Sequence, residues 1–177
     1  MSFLSVYHQS SPSVPNKVLT HRDDIIATLA ECGVRFERCR AEAAIQPGDD
    51  SEAVIDACRE QLDRLMTERG LAAVKVISIG GAQAQPLEFG DEHLHTGEEV
   101  CWFVAGNGQV VVRNDESFFA VLCDKHDLVV IPGGMRRWFD LGEQAQCVAI
   151  RLFKDEQGAR PTYTGDLIPR QLPRFDD

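Results

Sequence analysis

One short stretch of the sequence, residues 93–99, carries side chains that are typical of metal chemistry. It contains His93, His95 and Glu99 in the run His-Leu-His-Thr-Gly-Glu-Glu. If this run is extended, His93 and His95 point to the same side, and Glu99 keeps that parity, because strand side chains alternate. Two histidines and one carboxylate form the facial triad that suits Fe(II) and leaves coordination positions open. The alternative is a pair of surface histidines in an acidic loop.

The segments around this run have the pattern of short β-strands. Apolar runs separated by turn residues occupy 3–7, 34–40, 71–79, 100–105, 109–113, 118–122, 128–131 and 146–153. Many short strands at regular spacing are typical of a sandwich or a small barrel. Gly106-Asn107-Gly108 is predicted to be a hairpin turn rather than a phosphate-binding loop.

Two amphipathic helices are predicted before most of these strands. The first begins at a capping box formed by Thr20 and Asp23 and ends at Gly33. The second covers roughly 52–69, with Ser51 as its cap.

The expected organisation is one domain over 1–177, because a chain of this length favours a single core. Within it, 1–70 holds two helices packed on the barrel, 71–155 forms the β-barrel, and 156–177 is a surface tail.

Composition and charge exclude several classes of protein. The 177 residues carry 18 Lys and Arg against 28 Asp and Glu, a net charge of −10, so the chain should repel nucleic-acid backbones. No apolar run is long enough to span a bilayer, and the first residues lack the pattern of a signal peptide. The six cysteines include no CxxC pair and indicate reduced thiols, so we expect a cytoplasmic protein.

The pattern His-x-His-x3-Glu-x6-Gly resembles the first motif of the cupin superfamily, and Pro132-Gly133-Gly134 resembles the turn of the second. More narrowly, the chain is similar to the acireductone dioxygenase family over roughly residues 3–155. That similarity rests on Asp-Glu-His-Leu-His at 91–95, Trp-Phe-Asp-Leu-Gly at 138–142 and Ala-Ile-Arg-Leu-Phe at 149–153.

The resemblance implies a mainly β fold, a cupin-type jelly-roll barrel (a double-stranded β-helix) with N-terminal α-helices. It also implies a metal-dependent dioxygenase of methionine salvage, the route to L-methionine biosynthesis, acting on 1,2-dihydroxy-3-keto-5-methylthiopentene. The family uses one Fe(II) or Ni(II) per chain. Its iron form yields formate and a 2-keto acid, and its nickel form yields formate, carbon monoxide and a shortened carboxylic acid. The implied partners are the acireductone and dioxygen, with no nucleic acid and no membrane, and the chain is expected to be a monomer.

The same resemblance assigns roles to individual residues. His93, His95 and Glu99 would be three of the four metal ligands, and Glu99 and Arg151 would be catalytic. Arg151 alternates with apolar neighbours and is expected to face the cavity. Phe139, Arg151 and the Cys101 position would bind substrate.

Two departures bear on that assignment. The family's fourth ligand is a histidine, and Arg137 stands at its position. Because an arginine has no lone pair for a metal, it would pair with Glu99 or turn into solvent. Cys101 stands where the family has a substrate-binding arginine. The alternative is therefore a non-catalytic or repurposed cupin in which Arg137 pairs with Glu99 in place of a metal, so that no cofactor is bound. His126 is interpreted as a turn residue rather than a replacement ligand.

Overall fold

A computed structural model describes residues 1–81 and 87–176 and consists mainly of β-strands. The strands are β1 (Phe3–His8), β2 (Lys17–Leu19), β3 (Arg35–Arg38), β4 (Ala73–Ile79), β5 (His93–Leu94), β6 (Glu99–Arg113), β7 (Ser117–Asp124), β8 (Asp127–Ile131), β9 (Arg136–Asp140), β10 (Cys147–Phe153) and β11 (Thr162–Tyr163). The helices are α1 (Arg22–Glu31), α2 (Ser51–Ala57), α3 (Arg59–Arg69), α4 (Leu87–Gly90) and a 3-10 turn, Ile168–Arg170. The prediction of a mainly β protein with N-terminal helices is confirmed.

The strands form two packed antiparallel sheets, as in a cupin-type jelly roll. One sheet has the order β11-β5-β9-β6-β7-β1-β2, and the other has the order β4-β10-β6-β8-β3. The first part of β6 pairs with β8 and β10, and its second part pairs with β7 and β9. The two sheets are therefore joined through β6 as a sandwich, which confirms the cupin-type jelly roll; the described strands do not close into a continuous barrel.

The change of sheet within β6 occurs at Gly106. Its φ is +64°, and a Cβ atom there would lie 1.8 Å from the carbonyl oxygen of Gln146, so only glycine fits. The predicted hairpin turn at 106–108 is wrong, because the strand bends here without reversing.

Alternation along the strands produces two separate apolar layers. Cys101 and Phe103 of β6 point between the sheets, whereas Val100 and Trp102 point outward beneath α2 and α3. Because both faces of this sheet are covered, β6, β8 and β10 are buried along almost their whole length.

The predicted helix caps differ from the observed ones. Helix α1 begins after His21, which makes no side-chain capping bond, so the capping box at Thr20 and Asp23 is wrong. The predicted helix over 52–69 is interrupted at Cys58, and its cap is Asp50, whose carboxylate accepts from the Ala53 amide at 2.8 Å.

The tail is not a simple surface coil, because β11 pairs with β5 at Thr162↔Leu94 and Tyr163↔His93. The tail therefore covers the strand that carries the first histidine. The loop predicted over 80–86 lies largely outside the described residues. Among the described residues there is no helix of the length and apolar character needed to span a membrane.

Candidate metal centre

Three strands and one loop bring charged side chains into the space between the sheets. Glu99 shares the inward parity of Cys101 and Phe103 on β6. Arg151 lies two residues beyond inward-facing Ala149 on β10, and Arg137 lies two residues before inward-facing Phe139 on β9. Side chains alternate between the two faces of each strand, and burial of one face fixes the register. The Glu99 carboxylate and both guanidinium groups therefore point into one interior region.

His93 and His95 face the same region with their Nε2 atoms. Leu94 ends β5, and the chain then leaves the strand until Glu99, so residues 93–99 do not form the continuous extended run considered from sequence. The Nδ1–H of His93 donates to the Asp91 carbonyl at 2.7 Å, and that of His95 donates to the Gly158 carbonyl at 2.9 Å. These bonds fix the tautomer that leaves each Nε2 lone pair directed into the site, as in metal-binding histidines. Burial lowers the pKa of each imidazole to about 4, so both are neutral near pH 7.

Glu99 accepts from two arginines. Its Oε2 lies 2.5 Å from Arg151 Nε, and its Oε1 lies 3.1 Å from Arg151 Nη2 and 2.9 Å from Arg137 Nη1. Burial alone would raise the pKa of this carboxyl group, but the positive charges, that of Arg151 first, hold the pKa well below its usual range. Glu99 is therefore ionised.

Arg137 is enclosed completely, with none of its surface exposed. Besides its bond to Glu99, it donates from Nε and Nη2 to the Met135 carbonyl at 3.1 and 2.9 Å, and from Nη2 to the Pro132 carbonyl at 3.0 Å. Of the two orientations considered from sequence, the structure has the one in which Arg137 pairs with Glu99.

Arg151 lines a cavity of about 860 Å³, together with both histidines. Its guanidinium stacks over Phe139, 4.7 Å from the ring centroid. Its Nη2 lies 3.3 Å from His93 Nε2 and 3.1 Å from His95 Nε2. Together with Glu99 Oε1, these atoms place Nη2 at the point toward which the three predicted metal ligands are directed.

The donor set fits a single divalent ion in type and direction, since two neutral imidazoles and a carboxylate face one point. The distances between these atoms, however, suit the guanidinium that lies among them. His95 Nε2 and Glu99 Oε1 are 3.9 Å apart, and Arg151 Nη2 lies 3.1 Å from each. Accordingly, no set of three His, Cys, Asp or Glu side chains within 1–81 and 87–176 is disposed to hold an ion as it stands. His93, His95 and Glu99 would hold a metal once Arg151 withdraws.

The remaining predicted residues lie at the margin of the site or away from it. Phe139 supports Arg151 from below. Cys101 is fully buried, and burial raises the pKa of its thiol well above the usual value, so it is a neutral group behind the site. Neither Phe139 nor Cys101 is among the described residues that line the cavity. His126 is a turn residue, with φ of 85°, and its Nδ1 accepts from the Ala41 amide at 2.9 Å.

Sequence reasoning missed the contribution of the tail. Tyr163 lines the cavity, with its ring centroid 5.9 Å from that of His93, and the Gly158 carbonyl orients His95. Neither residue lies in a sequence motif. The tail that contains them is brought to the site by the long-range pairing of β11 with β5, which the sequence did not indicate.

Comparison with known proteins identifies close relatives over the whole chain. Proteins named acireductone dioxygenase from Pseudomonas fluorescens (strain Pf0-1) and Pseudomonas syringae pv. syringae (strain B728a) are 51% and 50% identical, and each alignment covers 100% of both chains. An acireductone dioxygenase from Bacillus anthracis, solved with a cadmium ion in its active center, has the same fold, with a TM-score of 0.72. It is 24% identical, and the match covers 92% of this chain and 98% of that one.

The ARD/ARD′ family pattern matches residues 6–161, which span the triad, both arginines and the tail segment that orients His95. With about half of all positions identical to full-length relatives, the chain belongs to the ARD/ARD′ family.

Proposed function

We propose that this protein is an acireductone dioxygenase that acts on 1,2-dihydroxy-3-keto-5-methylthiopentene in methionine salvage. The observation that supports this most is the meeting of His93, His95 and Glu99 around Arg151, with both histidines and Arg151 lining one cavity. That arrangement occurs in a chain about half identical to proteins bearing the acireductone dioxygenase name.

The proposed cofactor is one Fe(II) or Ni(II), held by His93, His95 and Glu99. When bound, such an ion supplies Lewis-acid polarisation of the enediolate oxygens and a binding position for dioxygen. The histidines suit this role because their Nδ1 bonds leave the Nε2 lone pairs available.

The chain's own residues bind and orient the substrate. Arg151 is the cationic group that lines the cavity beside both histidines, so its guanidinium binds enediolate or keto oxygens once it leaves Glu99. Ile77, Ile79 and Phe89 form an apolar wall of the same cavity, which suits the methylthio end and excludes water from the reacting carbons. Phe139 holds the guanidinium plane from beneath.

A second candidate function is favoured by one specific contact, the buried ion pair of Arg137 and Glu99 at 2.9 Å. A guanidinium in the place of the fourth ligand satisfies the carboxylate without a metal. The chain would then be a non-catalytic binding module, or a metalloenzyme repurposed for another small enediol or keto acid.

Turnover by reconstituted protein separates these functions. Protein stripped with chelator is reloaded with Fe(II) or Ni(II), and acireductone is added before oxygen. We expect loss of the enediol absorbance together with oxygen uptake, with formate in both cases and carbon monoxide only with nickel. His95→Gln should lower the rate by about 100-fold or more, since one of three ligands is lost. Exposed His21→Gln is the matched control.

A fully loaded protein that leaves the enediol intact, while a Pseudomonas relative consumes it, would point to a repurposed enzyme. A protein that takes up no metal would point to the binding module. Arg137→His with Cys101→Arg restores both family residues, a fourth donor and a substrate-binding arginine, and should raise activity. No turnover by either the unchanged chain or this variant would contradict the dioxygenase proposal.

We further propose that the chain is a monomeric cytoplasmic protein and that 1–177 folds as one domain. All six cysteines are free, as is typical of a reducing compartment. Light scattering and limited proteolysis would test the oligomeric state and the domain organisation.

A further inference from the structure

The group at the meeting point of the three predicted ligands is itself a cation. Arg151 Nη2 lies 3.1 to 3.3 Å from His93 Nε2, His95 Nε2 and Glu99 Oε1. Because the Nδ1 atom of each imidazole donates to a backbone carbonyl, the two Nε2 atoms accept from the guanidinium. These are the lone pairs that a divalent ion would need. Arg151 and the ion therefore require the same three acceptors and the same space.

Charge makes this exclusion stronger. The site contains one carboxylate, Glu99, and two guanidinium groups, Arg137 and Arg151, with all of Glu99 and Arg137 withdrawn from solvent. A doubly charged ion added to this set would face two fixed positive charges and one negative charge in a medium of low dielectric constant. An ion can enter only as a positive charge leaves.

The two arginines differ in their freedom to leave. Arg137 makes four hydrogen bonds to Glu99, Pro132 and Met135 and touches no solvent. Arg151 also makes four contacts, to Glu99, His93 and His95, but it lines the cavity and keeps 11% of its side chain exposed. Arg151 can therefore turn into the cavity, whereas Arg137 cannot move without breaking its enclosure.

We propose that Arg151 is an exchangeable occupant of the metal position and that Arg137 is a permanent cation beside it. Metal then binds weakly, because it must displace Arg151 and tolerate Arg137. This inference rests on the proposed metal ligands but does not depend on turnover.

Metal affinity, measured without substrate, tests the proposal. Ni²⁺ is titrated into chelator-stripped protein in competition with a chromophoric chelator. Arg151→Met and Arg137→Met should each bind Ni²⁺ about tenfold more tightly or better, because each removes one positive charge while leaving Glu99 one partner. Arg137→His should gain about 100-fold, since it also adds a fourth donor. Exposed Arg35→Met should stay within about twofold of the unchanged chain, as expected for a screened surface charge.

A thermal midpoint provides a second readout. The unchanged chain should melt at the same temperature with EDTA or with Ni²⁺ at equal concentration with the protein. The double variant Arg137→Met, Arg151→Met leaves Glu99 without a cation, so Ni²⁺ should raise its midpoint by about 5 °C or more through binding to the folded state.

The outcomes distinguish the two proposals. If the unchanged chain and all variants bind Ni²⁺ with the same high affinity, the arginines do not compete and this inference is wrong, while the proposed metal site stands. If no variant binds Ni²⁺, including Arg137→His, the three residues are not metal ligands, and both proposals fail. A gain confined to Arg137→His would show an added donor only and would overturn the role of Arg151.

Discussion

Two buried glutamates lie seven residues apart in the sequence and have opposite surroundings. Glu92 accepts from Arg113 Nη1 at 2.8 Å and from Thr164 Oγ1 at 2.7 Å, so one cation and one neutral donor balance it. Glu99 accepts from two arginines and lies beside two imidazoles at the end of a cavity.

The difference separates a charge-paired structural carboxylate from the proposed metal ligand. At Glu92 positive charge is not in excess, because Arg113 is the one cation beside it and also reaches Asp166 at 3.0 Å on the outside. At Glu99 the positive charge is in excess, and an unbalanced buried charge costs free energy. Such an imbalance is typical of a site that binds a ligand. Burial alone would not distinguish the two residues, because both are almost completely buried.

The largest expected effect comes from removing the functional carboxylate. Glu99→Gln leaves two enclosed guanidinium groups without a negative charge, and we expect the free energy of unfolding to fall by about 3 to 5 kcal/mol. Glu92→Gln should cost about 1 to 2 kcal/mol, because Arg113 keeps Asp166. Urea denaturation at pH 7.5 measures both. Equal losses in the two variants would remove the distinction drawn between the two carboxylates.

Lowering the pH should destabilise the folded protein, because the two buried imidazoles beside Glu99 must take up protons. Burial holds the pKa of His93 and His95 at about 4 in the folded protein, below the value of about 6.5 expected when unfolded. The unfolded chain therefore binds more protons between these values, so stability is fully present above about pH 6.5 and is lost as the pH falls toward 4. Ionised Glu99, whose folded pKa is also lowered, adds to the loss at the acidic end.

Urea midpoints between pH 7.5 and 4.5 measure this loss, which reaches up to about 3 kcal/mol per imidazole. His95→Gln should flatten the profile, whereas His21→Gln should not. A profile equally steep in both variants would place the titrating groups elsewhere.

The smallest effect is expected where an arginine is paired only at the surface. Arg35 lies 3.4 Å from Glu37 and 3.8 Å from Glu98 with more than half of its side chain exposed. Arg35→Met should change the free energy of unfolding by less than about 0.5 kcal/mol, because exposed ion pairs are screened. A loss as large as that in Glu99→Gln would mean that enclosure does not explain the behaviour of the buried arginines.

Much of the site follows from alternation in strands that are buried on both faces. The inward direction of Arg151 was predictable because the side chains of β10 alternate between the two apolar layers, even though its pairing with β6 shifts register between Val148 and Ala149. The position of Arg151 Nη2 among the imidazoles was not, because it depends on how two sheets and the tail pack together. The pairing of Arg137 with Glu99 was one of two alternatives, and packing between β6 and β9 selected it.

The errors at Gly106 and Ser51 have local causes. Gly-Asn-Gly is a hairpin signal, yet the same positive φ serves a bend inside a long strand, and sequence does not distinguish the two. Asp50 and Ser51 are both good capping residues, and the chain uses the first.

The bend at Gly106 links both sides of the buried ion pair through one strand. Glu99 begins β6 in one sheet, and past the bend Val112 of the same strand is in register with Arg137 in the other. The distance between the Glu99 carboxylate and the Arg137 guanidinium therefore depends on the angle at which β6 bends. A slight opening of the sandwich at this crease would weaken the ion pair without altering either side chain, so the metal affinity of the chain is open to adjustment by residues far from the site.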